Sequence, residues 1–550
     1  MNKKKRFDIW VVISVLLLAS LILFTVYPVG NLLTIAFKDS DGSFTLKYFQ
    51  EFFRKPYYYS TIGNSFKVAV TTSVLTTFIG VLFSYFYSFY RLKGRKLLFV
   101  TCLLCGLSAP FIGAYAWIFL FGKGGIVTMF VRRFGIMMPN IYGYGGIVIV
   151  QVSRMFPLVV LYMNGAFRNI DESLLEASEN LGIGGLQRFF RVTLFLVMPT
   201  LLAAFLVSFL RSLSDFGTPL VIGRGFDTFP LRIYEQYTSE NAGGSSGMSA
   251  TVSVISVIMT LLVFLIQKFA VSRFKFTINA NRHIVQKPCK GLGGALMHVF
   301  CYGIILFALL PQFYIIYLSF CNFKNSSRQP GYGLSNYTYA WTRKYMSTAV
   351  KNTLLLGVGS LIIVILMSIF IAYVVVRRSS VLTQTVDSIA MAPYVIPGLV
   401  IGVALAMTFN KGPIILAGTL IIMMIAMTVR NLPNTLRSTI ASLQQIPLYT
   451  EEASLNLGAS KMKTFFRITV PMMKNGILSG AVLSWTSIIT EVASSLILYN
   501  NKTITLTVGT YKTMSSMYGV GSAYATVETL FVILSLILYV TISREEDIKL

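Results

Sequence analysis

The sequence predicts an all-α polytopic membrane protein, with about twelve transmembrane helices in two parallel six-helix repeats. Three observations carry that prediction. Of 550 residues, 55% are hydrophobic and only 12% charged, where a soluble domain carries about a quarter charged residues; mean hydropathy is +0.69. Apolar runs of about 20 residues, the length that crosses a bilayer, alternate with short polar segments. A polar stretch also occurs twice. It reads EASENLGIGGLQRFFRVT from Glu176 to Thr193 and EASLNLGASKMKTFFRIT from Glu452 to Thr469, at an offset of 276.

The apolar runs of the first half fall at 9–29, 66–90, 97–121, 144–164, 197–221 and 250–270. Those of the second half fall at 294–318, 353–376, 388–409, 413–430, 476–498 and 524–542. The basic stretch Met1–Arg6 precedes the first run, which no small-residue cleavage site ends, so the run reads as a retained helix rather than a signal peptide. Lys and Arg concentrate at Lys3–Arg6, Arg91–Lys96, Arg168–Arg191, Lys268–Lys290, Arg377–Arg378 and Arg430–Lys474. Basic short loops stay in the cytoplasm. The pattern therefore puts both termini inside, including the mixed-charge tail from Arg544, although Lys123, Arg132, Arg133, Arg343 and Lys344 fall outside. The net charge of +27 follows from these span-flanking residues and implies a lipid bilayer as surroundings, not a nucleic acid.

The two halves match beyond the doubled stretch. Asn64-Ser65 and Tyr85 answer Asn352-Thr353 and Tyr373 at an offset of 288. Arg154, Pro157 and Asp215 answer Arg430, Pro433 and Glu491 at 276, and Ala250-Thr251-Val252 answers Ala525-Thr526-Val527. The change in offset falls around the Gly-rich loop 122–143. The chain therefore divides into a first half, 1–270, with its polar motif at about 171–193, a basic linker, 271–293, and a second half, 294–550, with its motif at about 447–471.

Each motif reads as helix, turn, helix. Asp171 or Ser173 is placed to cap the first copy and Thr450 the second. Gly182 and Gly458 supply the left-handed turn that ends a helix. A short surface helix continuous with a spanning helix is suited to passing on a push. The pair Cys102 and Cys105 forms a CxxC inside an apolar run. With only His283 and His298 in the chain and Cys289, Cys301 and Cys321 scattered elsewhere, it reads as core packing. Pro110, Pro157, Pro393 and Pro433 are expected to kink or unwind helices. Tyr85 and Tyr373 read as packing aromatics.

The doubled segments resemble the EAA loop of ATP-binding-cassette importer permeases, whose pattern is E-A-A, three residues, Gly, nine residues, Ile-x-Leu-Pro. The second copy offers Glu452-Ala453-Ser454, Gly458 and Ile468-Thr469-Val470-Pro471 at that spacing. The first offers Glu176-Ala177-Ser178, Gly182 and Val192-Thr193-Leu194, with Phe195 in place of the proline, which comes later at Pro199. Two fused six-span halves, together with Ser214–Pro219 and the patterns at Leu231–Tyr234 and Leu506–Tyr511, are similar to the ferric-iron members of that superfamily. The fold implied is that of a type I importer permease in a bacterial plasma membrane. The resemblance implies docking of two copies of a cytoplasmic ATPase subunit on Glu176, Ala177, Gly182, Glu452, Ala453 and Gly458. It also implies an extracytoplasmic binding protein that delivers substrate to the external segments 223–249 and 499–523. No GxxxxGK[ST] phosphate loop occurs, so the chain is expected to be no enzyme and to bind no cofactor itself, with ATP used by its partners.

Ionisable residues inside a membrane are costly and often functional. Asp215 and Glu491 fall late in the fifth spans and Glu528 in the last. One reading has Asp215 and Glu491 facing a shared substrate path, where oxygen ligands suit a hard cation such as ferric iron. The other has each pairing locally, Asp215 with Arg211 one turn earlier and Glu491, which has Ser487 there, with no matching partner. No fixed metal site is read. Ferric iron is the first expected substrate; 2-aminoethylphosphonate, a polyamine or thiamine is the alternative within the class. An ion-coupled secondary transporter is the alternative outside it.

Overall fold

The computed structural model describes residues 9–543 apart from 40, 107–109, 242–244, 274–281, 283, 325–326 and 412. Lys3–Arg6, His283, the tail from Arg544 and the linker over 274–281 lie outside the described residues. The described chain is helical almost throughout. Its strands are a two-residue parallel pair, Tyr90–Arg91 with Lys287–Pro288, and a hairpin of Cys321–Lys324 with Ser327–Tyr332.

Seven helices are each long and apolar enough to cross a membrane, and up to nine spans are counted if each of two bent pairs is one span. The expected runs 97–121, 197–221, 388–409 and 476–498 are not continuous helices. In the first, one helix ends at Cys105 and the next starts at Pro110; the others are broken at Ser214–Phe216, at Val395–Pro397 and at Thr490–Val492. Val381–Tyr394 and Gly398–Thr408 meet at 109°. Hydropathy reads straight through such breaks because the freed backbone groups find partners inside the protein. Pro393 lies in the short 3₁₀ turn before one break, and Pro110 starts the helix after another. Pro157 and Pro433, expected to kink or unwind their helices, do not unwind them: they sit inside the uninterrupted helices Tyr144–Arg168 and Leu420–Gln444. The tenth run begins later than expected, at Leu420, and its helix extends into polar sequence as far as Gln444.

Two compact units divide the chain, and they do not follow the sequence repeats. Among the described residues, one takes those up to Phe52, Ile233–Val257 and those from Ser319; the other takes Phe53–Arg232 and Ile258–Leu318. In the first unit the chain's opening helix, Ile9–Leu21, packs on second-half sequence. Trp10 is buried with its ring 4.3 Å from Tyr373 and 5.0 Å from Phe465, and Leu21 joins Ala372, Val386 and Leu436. In the second unit the helix Gly291–Phe320, which opens the second half, packs Cys301 and Ile305 against Phe83, Tyr87 and Phe156. Cys102 and Cys105 belong to that same cluster as free thiols, which bears out the packing reading of the CxxC.

Candidate functional site

The first motif helix spans Glu172–Asn180. Asp171 has extended backbone, and its Oδ1 accepts from the amide of Ser173 at 3.0 Å, so the expected cap is formed. The second motif helix spans Leu448–Asn456 and begins at Pro447 without a side-chain cap. Thr450, expected to cap it, lies within the helix instead. Both helices end alike. Gly182 and Gly458 take φ of +78° and +85°, and the next amides, of Ile183 and Ala459, donate back to Ser178 (2.9 Å) and Ser454 (3.1 Å).

Each motif then re-enters the apolar region along the same backbone path. The first runs Gly185–Arg188, a π turn Phe189–Thr193, Leu194–Leu196, a break at Val197, then Met198–Leu213; the bend across that break is 77°. The second runs Lys461–Thr464, a π turn Phe465–Thr469, Val470–Met472, a break at Met473, then Lys474–Ile489. The shifted proline changes nothing in this path. Pro199 and Pro471 are each the second residue of a helical segment, where no amide donor is needed. Tyr85 meets Phe189 edge-on at 4.7 Å, and Tyr373 meets Phe465 edge-on at 4.8 Å.

The residues that the motif points outward are equivalent in the two copies. Glu176, Ala177, Gly182, Glu452, Ala453 and Gly458 are all exposed. So are two leucines that the sequence reading left out: Leu181 is 79% and Leu457 89% exposed, each immediately before its turn glycine. The signal was present in the sequence, since Leu181 and Leu457 recur at the motif offset.

The buried side of the motif differs. In the second copy Glu451 turns inward. It accepts from Arg377 Nε at 2.9 Å and from the Tyr373 hydroxyl at 3.1 Å, while Arg377 also donates to the Ile446 carbonyl at 2.7 Å. In the first copy the matching positions are Leu175, Phe89 and Tyr85, which join an apolar cluster with Phe167 and Phe189.

The membrane acids are partnered, but not as expected. Asp215 sits in the break between Met198–Leu213 and Gly217–Ile222. Its Oδ2 lies 3.4 Å from Arg154 and accepts from Gln151 Nε2 at 3.0 Å. Gln151 is in turn fixed by the hydroxyls of Thr72 (3.0 Å) and Ser212 (2.6 Å). Arg211 is not the partner, because its helix ends at Leu213 and the one-turn relation does not reach Asp215. Glu491, expected to lack a partner, pairs with Arg430 and accepts from the amide and hydroxyl of Ser494 at 3.1 and 3.2 Å. The signal was again in the repeat: arginine and acid recur together at one offset. Glu528 is buried in the last long helix. Thr510 donates to its Oε2 at 3.4 Å, and its Oε1 has no hydrogen-bond partner among the described residues. Asp215 lies in one compact unit and Glu491 and Glu528 in the other. Among the described residues no three His, Cys, Asp or Glu side chains form a group that could hold a metal ion.

A second duplicated tie lies far from the motifs in sequence. Asn64 donates to the Asp227 carbonyl (3.0 Å) and Ser65 accepts from the Phe229 amide (2.7 Å). Asn352 donates to the Lys502 and Ile504 carbonyls (2.9 Å each), and Thr353 accepts from the Leu506 amide (2.9 Å). The segments 223–249 and 499–523, expected as external loops, therefore carry the helices Phe229–Asn241 and Leu506–Met514, each with its first turn buried.

Two matching halves, each with an exposed helix and left-handed glycine turn leading through a π turn and a break into an apolar helix, in a chain with seven to nine candidate spans, define a multi-pass membrane transport permease. The chain belongs to the family of binding-protein-dependent transport system inner membrane components, whose pattern it matches twice, over residues 76–276 and 364–545. It is 28% identical over 555 residues to the ferric transport system permease protein FbpB of Actinobacillus pleuropneumoniae, covering 98% of this chain and 78% of that protein. It is 28% identical to the putative ferric transport system permease protein FbpB 1 of Haemophilus influenzae, covering 89% and 78% respectively. A shorter relative is the putative 2-aminoethylphosphonate transport system permease protein PhnU of Salmonella typhimurium, 23% identical over 48% of this chain and 92% of that one.

Proposed function

We propose that this chain forms the translocation path of an ATP-driven importer that takes ferric iron from an extracytoplasmic binding protein. The observation that carries the importer reading is the pair of exposed motif helices, each ending in an outward leucine and a left-handed glycine. Two copies of one cytoplasmic ATPase subunit dock there, on Glu176, Ala177 and Gly182 and on Glu452, Ala453 and Gly458. ATP is bound and hydrolysed by those subunits, and this chain holds no cofactor. The chain sits in the plasma membrane of a bacterium with both termini in the cytoplasm. ATP binding draws the two motif helices together, and the push reaches the spanning helices through the π turns and bends. The names of the full-length relatives support iron as the cargo. Asp215 and Glu491, each engaged by an arginine at a helix break, serve as gating ties. Glu528 is the acid whose carboxyl keeps an acceptor for passing substrate.

The test is uptake into proteoliposomes containing this chain and its ATPase, with the binding protein outside and loaded with ferric iron. The expected result is iron uptake that requires ATP and is lost when Glu176 and Glu452 are both changed to Ala. Stimulation only by a binding protein loaded with 2-aminoethylphosphonate or another organic solute would keep the importer and discard iron. Uptake driven by an ion gradient without any ATPase would replace the reading with a secondary transporter.

A further inference from the structure

The segment that joins the two repeats returns to the first motif helix and is fastened there. The Glu172 amide donates to the Arg282 carbonyl at 3.1 Å, and the Val285 amide donates to Glu172 Oε1 at 3.2 Å. Ile284 packs against the apolar cluster of Leu175 and Phe189. Gln286 donates to the Ser88 carbonyl at 3.2 Å, and Lys287–Pro288 pairs with Tyr90–Arg91. So anchored, Arg282 places its guanidinium 3.6 Å from Glu172 and 3.3 Å from Glu176. Among the described residues the second motif helix has no equivalent. Glu452 is exposed and makes no ion pair among the described residues, and the neighbouring acid, Glu451, is turned inward.

Among the described residues the first docking face stays open. Leu181 remains 79% exposed, and the side chains of Glu176 and Arg282 are 51% and 61% exposed. What differs between the faces is charge. One presents a bare carboxylate and the other a carboxylate already engaged by a cation. A partner surface that meets Glu452 with a donor or a positive charge meets Arg282 beside Glu176.

We propose that Arg282 competes internally for the carboxylate of Glu176, so that two identical ATPase subunits bind this chain with unequal affinity, more tightly at Glu452. The proposal rests on the docking reading above. An exposed ion pair is worth up to about 1 kcal/mol, so the expected gap is about two- to fivefold in affinity.

The test titrates the full chain in lipid nanodiscs with the ATPase subunit that copurifies with it, counting bound subunits. Two unequal steps are expected. Arg282→Gln should tighten the weaker step about two- to fivefold and leave the stronger one unchanged, whereas Arg282→Lys should behave as wild type. Glu176→Gln should loosen the weaker step and abolish the effect of Arg282→Gln. Equal steps in the wild type, or an Arg282→Gln variant whose weaker step is unchanged or looser, would overturn the proposal while leaving docking intact. A wild-type chain that binds no ATPase subunit would remove the docking reading itself, and the competition with it.

Discussion

Beneath the two motif helices one backbone is filled with two chemistries. Tyr85 and Tyr373 occupy the same place and meet the same phenylalanine edge-on, at 4.7 and 4.8 Å. Yet around Tyr85 the neighbours are Phe89 and Leu175, and around Tyr373 they are Arg377 and Glu451. The π turn, the helix break and the glycine turn are common to both. The two copies thus share the path of the chain, while one interior is apolar and the other holds a buried ion pair. The first motif is secured by apolar packing and by bonds to Arg282 and Val285, the second by the buried pair of Arg377 and Glu451.

The largest expected effect breaks that contrast on the second side. Arg377→Ala leaves Glu451 buried and uncompensated and should cost about 3–5 kcal/mol, seen as early unfolding of the purified chain in detergent. The double change Arg377→Phe with Glu451→Leu, which copies the first half into the second, should recover most of that loss. If it recovers nothing, the two interiors are not interchangeable. Next come the turn glycines. Gly182→Ala and Gly458→Ala should each cost about 1–2 kcal/mol and should match one another, because both hold positive φ with open space around the missing side chain. A large difference between them in the same unfolding assay would show that the two turns are not equivalent. Smallest is the cap. Asp171→Ala should cost about 1 kcal/mol, whereas Thr450→Ala should cost close to nothing, since only the first motif helix begins on a side-chain cap.

Much of this was legible in the chain itself. The offset of 276 found both motif helices, and the glycines found their ends. The acids' partners were harder to read. Arg211 stands four residues before Asp215, but that spacing implies contact only inside one helix, and the helix stops at Leu213 between them. The true partner, Arg154, is distant in sequence. Its match to Arg430 was visible, but its contact with the acid was not. The helix breaks were hidden for a related reason: Val395-Ile396-Pro397 is as apolar as the helices it interrupts, and the breaks at Ser214–Phe216 and Thr490–Val492 each set only one acid inside an otherwise apolar run. The seating of Arg282 had no periodic signal, since a linker that follows a neighbouring element carries no repeat.

The place of Trp10 has a consequence for the order in which the protein is made. Its partners Tyr373 and Phe465 lie in the same compact unit but leave the ribosome at least about 360 residues later, on the order of 20–70 s at ordinary rates of synthesis. For that interval the opening helix waits in the bilayer with one face unclaimed. Expressing the two repeats as separate polypeptides would extend that wait until the fragments meet. Cutting the gene at the boundary between its repeats therefore divides a folding unit.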